Sequence, residues 1–292
     1  VNSKSPERIL YLLDLSSLLF RFFYGTPLLI TKDGRPTNAV YGVLRLLIKL
    51  ASENPSADFL VLADSGRETF RKEILQDYKS NRKEAPEELK VQIPLCESAF
   101  ETLGLKICKK EGFEADDLIA GAVKFFKDKY DRCVIVSQDK DLSQLVDEKV
   151  ALFDVSKNKI MGPEDIKKNF GVFPDKIPLF LALVGDSSDN IPGIKGIGPK
   201  TAAKLIEQFE SLEDLLEPSS SPQFDVRNHK MGKFLEILRQ NADQVKKNLL
   251  LTDLKKVDVS FEFEPKPWKP TPEFFNLLED LEFKSILNTL HR

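Results

Sequence analysis

Residues 9–17 read ILYLLDLSS, a short continuous apolar run that ends on Asp14 and is followed by two serines. A run of this length and composition predicts a strand covered on both faces, turning into an apolar helix over 18–23. The pattern recurs in FLVLAD, which ends on Asp64, and in CVIVSQD, which reaches Asp139 after Ser137 and Gln138. Three buried-type strands that each deliver a carboxylate at the C-terminal end predict an open α/β sheet with a ligand site along that edge. One such acid is also a ready helix N-cap. Its repetition at three strand ends favours a shared site.

Helical patterns lie between these runs, as parallel strands require. One covers 41–50. Another covers 114–126, with Ala115, Leu118, Ile119, Ala122, Val123 and Phe126 as its apolar stripe. Glu114, Asp116 and Asp117 crowd its first turn, where acids suit the helix dipole. Three in four residues exceeds what capping needs, and their repulsion requires compensation. Pro86 is expected to begin a helix, and Pro94 to interrupt or bend it. A further strand is expected over 150–154. Beyond it the chain turns mainly helical, with a Ser/Pro loop at 218–222, a Lys-rich helical stretch over 232–251, a short strand or extended segment over 257–263 and a helix pair over 272–290.

The richest stretch is GDSSDNIPGIKGIGPKTA over 185–202. Asp186 and Asp189 run into a Gly-rich turn, and Pro199 opens the next helix, which carries Lys200 and Lys204. Free backbone N–H groups in such a turn suit an anion. The turn is not a P-loop: from Gly193 the spacing is G-x-x-x-x-G, but Pro199 precedes the lysine and no buried strand leads in. The acids Asp14, Asp64, Glu114, Asp116, Asp117, Asp139, Asp141, Asp186 and Asp189 form an all-oxygen donor set that suits Mg²⁺ or Mn²⁺ better than zinc. An EF-hand is excluded, because Asp139-x-Asp141-x-Ser143 lacks the following glycine.

The 292 residues carry a net charge of −3, which argues against a broadly basic nucleic-acid coat but leaves an acidic pocket with a basic rim open. Cys96, Cys108 and Cys133 show no metal or disulfide spacing, and His229 and His291 are the only histidines. A reducing, cytoplasmic location is expected, and no apolar run reaches the length of a membrane span. Arg67, Arg71, Lys72, Lys79, Arg82, Lys83 and Lys90 are interleaved with Phe70 and Tyr78. That mixture fits either a solvated helix or a grip on a single nucleic-acid strand.

Taken together, D-x-S-S at Asp14, A-D-x(4)-T-F-R over 63–71, Y-K-x-N-R over 78–82, G-F-E-A-D-D over 112–117, D-K-D-L over 139–142 and the 185–202 stretch resemble the 5′ nuclease (flap endonuclease) family. The likeness is strongest to the 5′→3′ exonuclease domain of bacterial DNA polymerase I. It runs in family order over about 9–215, with weaker likeness through 281–283. It implies a PIN-like α/β nuclease core over 1–184 with a helical arch near 67–105, and a helical region over 185–292 containing a helix–hairpin–helix-type duplex-binding element.

The resemblance further implies cleavage of DNA at 5′ flaps and branched 5′ ends, in replication and repair, with two divalent cations. Asp14, Asp64, Glu114 and Asp116 would hold the first, Asp139, Asp141 and Asp189 the second, with Asp117 and Asp186 nearby. Lys79 and Arg82 would neutralise the scissile phosphate and Tyr78 would stack on a base. Arg21 and Arg71 would contact phosphates. Gly193, Lys195, Gly196, Gly198, Lys200 and Thr201 would grip the duplex, around a K⁺ ion. Gln138, Leu15 and Ala63 depart from the family's usual Gly, Gly and Phe, at the rim of the site. A monomer is expected, either free-standing or excised from a longer polymerase; a branched-DNA binding module with weak or lost catalysis and a Mg²⁺-dependent small-substrate phosphatase are the rival readings.

Overall fold

The computed structural model describes residues 7–66, 69–209, 211–216, 229–256 and 258–291. The first part runs β1 (Ile9–Asp14), α1 (Leu15–Gly25), α2 (Asn38–Glu53), β2 (Asp58–Leu62), α3 (Phe70–Ile74), α4 (Glu87–Lys90), α5 (Gln92–Thr102), β3 (Ile107–Cys108), α6 (Ala115–Phe126), β4 (Arg132–Ser137), β5 (Val150–Asp154), β6 (Lys159–Met161), α7 (Pro163–Phe170) and α8 (Ile177–Val184). It continues with α9 (Pro199–Gln208), α10 (Leu212–Leu216), α11 (His229–Gln240), α12 (Ala242–Thr252), α13 (Pro272–Asp280) and α14 (Lys284–Leu290). Among the described residues one sheet forms, in the order β3-β2-β1-β4-β5-β6. Its pairs are parallel except β5–β6.

Alternation along the strands assigns the two faces. Leu10 and Leu12 point into a core shared with α6, α8 and α9. Tyr11 and Leu13 point into a second core with α1, α2 and α5. Each central strand is therefore apolar at every position, which is why ILYLL reads as continuous and not alternating. The first core runs on through α8 to α9 and α12, so packing is unbroken across the expected boundary at 184/185. Helices α13 and α14 return to the other face, where Phe274, Leu278, Phe283 and Ile286 pack with residues of β1 and α2.

Two expectations need correction. The helical interruption near Pro94 falls at Val91, between α4 and α5, with Pro94 inside the first turn of α5. A proline ring crowds the carbonyl four residues back, here that of Lys90, so the break lies upstream of Pro94. Residues 258–263 form no strand: Val259 and Phe261 are buried, but they lie over α6, where Gly121 makes room for Val259. An alternating pattern shows which side chains are covered and not whether a neighbouring strand exists. The expected loop at 218–222 lies outside the described residues.

The segment after α8 makes two back-to-back turns. Asp186 and Ile191 exchange backbone hydrogen bonds of 2.9 and 2.8 Å, closing a tight turn that carries Asp189. Ile194 and Ile197 then plug a second turn into the core ahead of α9. The strand-like crossing is so close that a Cβ on Gly193 would sit 2.0 Å from the carbonyl oxygen of Val184. Gly193 is thus a packing residue. We predict that Gly193→Ala costs about 3 kcal/mol or more of unfolding free energy, since neither backbone segment can give way cheaply. An unchanged urea midpoint would show that the two segments do not meet.

Candidate active site

In this strand order the chain leaves β1 towards β2 on one side, and β4 lies on the other. The crevice at their C-terminal ends is the switch point at which open α/β sheets place ligands. Asp14 ends β1, Ser137 ends β4, Asp64 follows β2, and α6 aims its first turn at the same edge. An open cleft of about 450 Å³ is lined by Asp14, Asp64, Asp116, Asp139, Arg21, Lys79, Arg82 and Gln138. The strand-end acids therefore do converge.

Asp14 serves both of the readings left open by the sequence. Its Oδ1 accepts from the Ser17 N–H at 3.0 Å as the N-cap of α1, and its Oδ2 accepts from Ser137 Oγ at 2.7 Å. Ser17 Oγ also accepts from the Gln138 N–H at 2.9 Å, and Ser137 Oγ from the Asp139 N–H at 2.9 Å, so two serines fasten the ends of β1 and β4 together. Asp64 accepts from Ala115 N at 2.9 Å, fixing the start of α6 against β2. Leu15 and Ala63 are buried, whereas Gln138 is exposed at the cleft. With its amide oxygen facing the β5–β6 turn, Gln138 accepts from Val155 N at 3.1 Å and Ser156 N at 3.2 Å.

Two expected DNA contacts, Arg71 and Tyr78, and one expected ligand, Asp117, turn inward instead. Arg71 is 2% exposed and grips Asp117 with two hydrogen bonds of 2.8 and 2.7 Å. It also reaches Glu114 at 3.3 Å and the Leu251 carbonyl at 3.0 Å. Burial opposes its charge, but the hydrogen bonds and charge of Asp117 outweigh this and raise its pKa. Asp117, wholly buried, accepts from Glu114 N at 3.0 Å as well, so it braces α6 and does not face the cleft. Tyr78 is 3% exposed and its hydroxyl donates to Glu114 or Asp189, both at 3.0 Å. Burial, then the charges of Glu114 and Asp189, push its phenol upward, so it remains a donor. A ring so enclosed has no face for a base.

Lys79 and Arg82 lie where cations were expected, and they hold the acids directly. Lys79 Nζ is 2.7 Å from Glu114 Oε1 and 3.7 Å from Asp189 Oδ2. Arg82 pairs with the other oxygen of Asp189. Their turn is stitched to the Asp186–Ile191 turn: Lys79 N donates to Asp189 O at 3.0 Å, Asn81 to Ser187 O at 2.7 Å, and Asn190 to Asp77 O at 2.8 Å. Lys79 and Asn190 both hold left-handed backbone, φ 55° and 57°. Such conformations cost roughly 1–3 kcal/mol and gather at functional sites.

Asp186 is buried and engaged, with its Oδ2 2.9 Å from Lys140 Nζ and its Oδ1 accepting from Ser188 N at 2.8 Å. In the second turn Lys195, Gly196, Gly198 and Lys200 are exposed and Thr201 is half-buried, with Gly196 at φ 93°. Arg21 lines the cleft with its Nε buried and without a hydrogen-bond partner. Among the described residues no three carboxylates close into a ready-made metal-binding group. The ion pairs supply a physical reason: Arg71, Lys79, Arg82 and Lys140 each draw an acid towards themselves.

The remaining acids nevertheless fit a hard cation. Burial, followed by the charge of Asp116, pushes Asp14 up to about 8. Asp139 is pushed up to about 7 by burial and Asp116, and Asp141 rises through burial and the charge of Asp139. Asp141 Oδ1 is buried with no hydrogen-bond partner. Raised carboxylates are destabilising as ions, so their ionisation weakens the metal-free fold as pH climbs from about 4 through these values. A divalent cation reverses the sign by favouring the charged forms.

An acid-lined switch-point site with cations laid over it defines a nuclease-type α/β fold. Family profiles match its two parts: "5′-3′ exonuclease, N-terminal resolvase-like domain" over residues 9–171 and "5′-3′ exonuclease, C-terminal SAM fold" over residues 172–273. The chain belongs to the 5′-3′ exonuclease family, and it is an enzyme of that class. It is 38% identical to a 5′-3′ exonuclease of Aquifex aeolicus over 98% of this chain and 96% of the relative. It is 35% identical to a DNA polymerase I of Caldicellulosiruptor bescii over 96% of this chain but 33% of that protein, so it spans about a third of the polymerase. Among solved structures, T5 5′-exonuclease with bound zinc superposes with a TM-score of 0.69 at 26% identity, covering 85% of this chain and 90% of that one. T5 D15 flap endonuclease in a pseudo-enzyme–product complex with DNA and metal ions gives 0.68 at 26% identity, with the same coverage.

Arg71→Met should cost about 3–5 kcal/mol of stability by stranding the Asp117 carboxylate. The double variant Arg71→Met/Asp117→Leu should recover a large part of it. Urea unfolding at pH 7 checks both, and a single variant as stable as the wild type would refute the buried pair.

Proposed function

We propose that the chain is a structure-specific 5′ nuclease that hydrolyses phosphodiesters at 5′ flaps and 5′ ends of branched or nicked DNA, in replication and repair, as a cytoplasmic monomer. The observation that carries this reading is the direct hydrogen bonding of Lys79 and Arg82 to Glu114 and Asp189, at a sheet edge where carboxylates from β1, β2, β4 and α6 meet. Cations poised over a carboxylate cluster are what a phosphodiester needs beside an acidic site that would otherwise repel it.

Asp14, Asp64, Glu114 and Asp116 are the residues we assign to one divalent cation, and Asp139, Asp141 and Asp189 to a second, with Mg²⁺ as the natural ion and Mn²⁺ as a substitute. When bound, such a pair supplies an activated water and stabilises the leaving oxygen. Ser17 and Ser137 keep the Asp14 carboxylate in one orientation, and Asp117 with Arg71 keeps α6 from rotating. Lys79, held charged by Asp116, Glu114 and Asp189 against its burial, brings positive charge to the scissile phosphate. Arg82 does the same from the cleft rim. Lys195, Lys200 and the exposed backbone of Gly196 and Gly198 face a duplex backbone, with Thr201 beside them and K⁺ as the counterion we propose there. This grip makes affinity fall steeply with salt, which a small-substrate phosphatase would not show.

A 5′-labelled flap duplex incubated with Mg²⁺ tests the reading, and binding without cleavage would overturn it. Asp139→Asn should abolish cleavage yet keep flap binding. The asparagine oxygen can still accept the 2.8 Å bond from Asp141 N, so the loop survives while the charge does not. Lys79→Ala should slow single-turnover cleavage about 10²–10³-fold; full rate in either variant would remove the assigned role.

A further inference from the structure

The C-terminal end of α12 is capped by side chains of α3 and of the helical turn that follows Asp139 and begins at Asp141. A helix leaves its last carbonyls unpaired, and two of those on α12 are met by side chains from far along the chain. The Leu251 carbonyl accepts from Arg71 Nε at 3.0 Å, a cation well placed at a helix C-terminus. The Thr252 carbonyl accepts from Gln144 Nε2 at 2.9 Å. Gln144 is wholly buried; its Nε2 also donates to the Asp141 carbonyl at 2.9 Å, and its Oε1 accepts from Leu254 N at 2.9 Å.

One turn earlier, Asn248 is 2% exposed and donates to the Pro192 carbonyl at 2.7 Å and the Ala182 carbonyl at 2.9 Å. Thr252 Oγ1 donates to Pro178 O at 3.0 Å. One short length of helix therefore holds three things at once: the start of the Gly193–Gly198 turn, the turn bearing Asp139 and Asp141, and the arginine that braces Asp117 and Glu114.

We propose that this end of α12 is the joint that fixes the distance between the duplex grip and the acidic site, and that Gln144 and Asn248 are positioning residues of the reaction. The proposal rests on the nuclease reading above. None of these side chains faces the cleft, so each acts through another group. Burial makes the joint stiff, because a buried amide or carbonyl that loses its partner has no water to replace it. A loosened joint lets the same catalytic acids meet a neighbouring phosphodiester, so its signature is the position of incision more than the amount.

The test compares wild type, Gln144→Met and Asn248→Leu on an end-labelled flap duplex in Mg²⁺, with products resolved at single-nucleotide resolution. Affinity is measured separately by fluorescence anisotropy in EDTA, where no cleavage runs, and Mn²⁺ affinity by titration without DNA. Both variants are expected to scatter incision over adjacent phosphodiesters. Gln144→Met should also weaken Mn²⁺ binding and slow the single-turnover rate by at least about tenfold, with flap affinity kept. Asn248→Leu should weaken flap affinity, with Mn²⁺ affinity kept.

Thr252→Val, which preserves shape, and Thr252→Ser, which preserves the hydroxyl, decide the matter if either larger change prevents folding. The valine variant should scatter incision and the serine variant restore the wild-type site. Variants that cut at the wild-type position, in proportion to their folded fraction, would overturn the joint while leaving the nuclease reading intact. A wild type that binds the flap and does not cut it would instead remove the reading on which the joint rests.

Discussion

Carboxylates crowded at one edge of a parallel sheet repel one another, and the rest of this structure depends on how that repulsion is met. At 4 Å two like charges cost about 4 kcal/mol at an effective dielectric near 20, and here several share one crevice. The chain answers with internal cations. Arg71 takes Asp117, Lys79 takes Glu114, Arg82 takes Asp189 and Lys140 takes Asp186. Asp14, Asp139 and Asp141 are left with raised pKa values and, at Asp141, with an unpartnered buried oxygen. The site is thus compensated enough to fold and under-compensated enough to want a cation.

The division between permanent and exchangeable compensation follows burial. Arg71 and Asp117 lie within the core, where separating them would leave a bare charge, so this pair is scaffold. Arg82 is half exposed, so its ion pair can be traded for a bound anion at far smaller cost, whereas Lys79, mostly buried against Glu114 on a left-handed turn residue, lies between the two cases. The two lysine- and arginine-bearing segments look alike in sequence. Their roles separate only when the depth of each side chain is known.

That is also where the sequence was readable and where it was not. The strands, the helix over 114–126 and the convergence of Asp14, Asp64 and Asp139 were legible, because apolar period and strand-end position are local properties with one common tertiary consequence. The DNA contacts that the family resemblance implies for Arg71 and Tyr78 do not fit their burial, and composition could not decide it, because a cation beside an aromatic looks the same facing solvent or core. Asp117 could not be told from Asp116 by position in an acidic turn; the buried guanidinium opposite it decides. Gln144, Asn248 and Thr252 gave no signal, since a lone amide or hydroxyl in a Lys-rich or polar stretch looks solvated until its partner carbonyls, far away in the chain, are in place.

The 185–202 stretch joins these levels. Its first turn carries Asp189 into the acid cluster and supports the Lys79 turn, while its second leaves Lys195, Gly196 and Gly198 exposed. Gly193 lets the two turns cross Val184 at a spacing no side chain permits, and Asn248 pins the carbonyl just before it. A grip placed on a separate, loosely tethered lobe would leave the choice of phosphodiester to chance. Building the proposed grip and an acid into one contiguous, glycine-closed segment would make the distance between them a property of the backbone, and backbone distances held by buried hydrogen bonds vary less than those held by surface ion pairs.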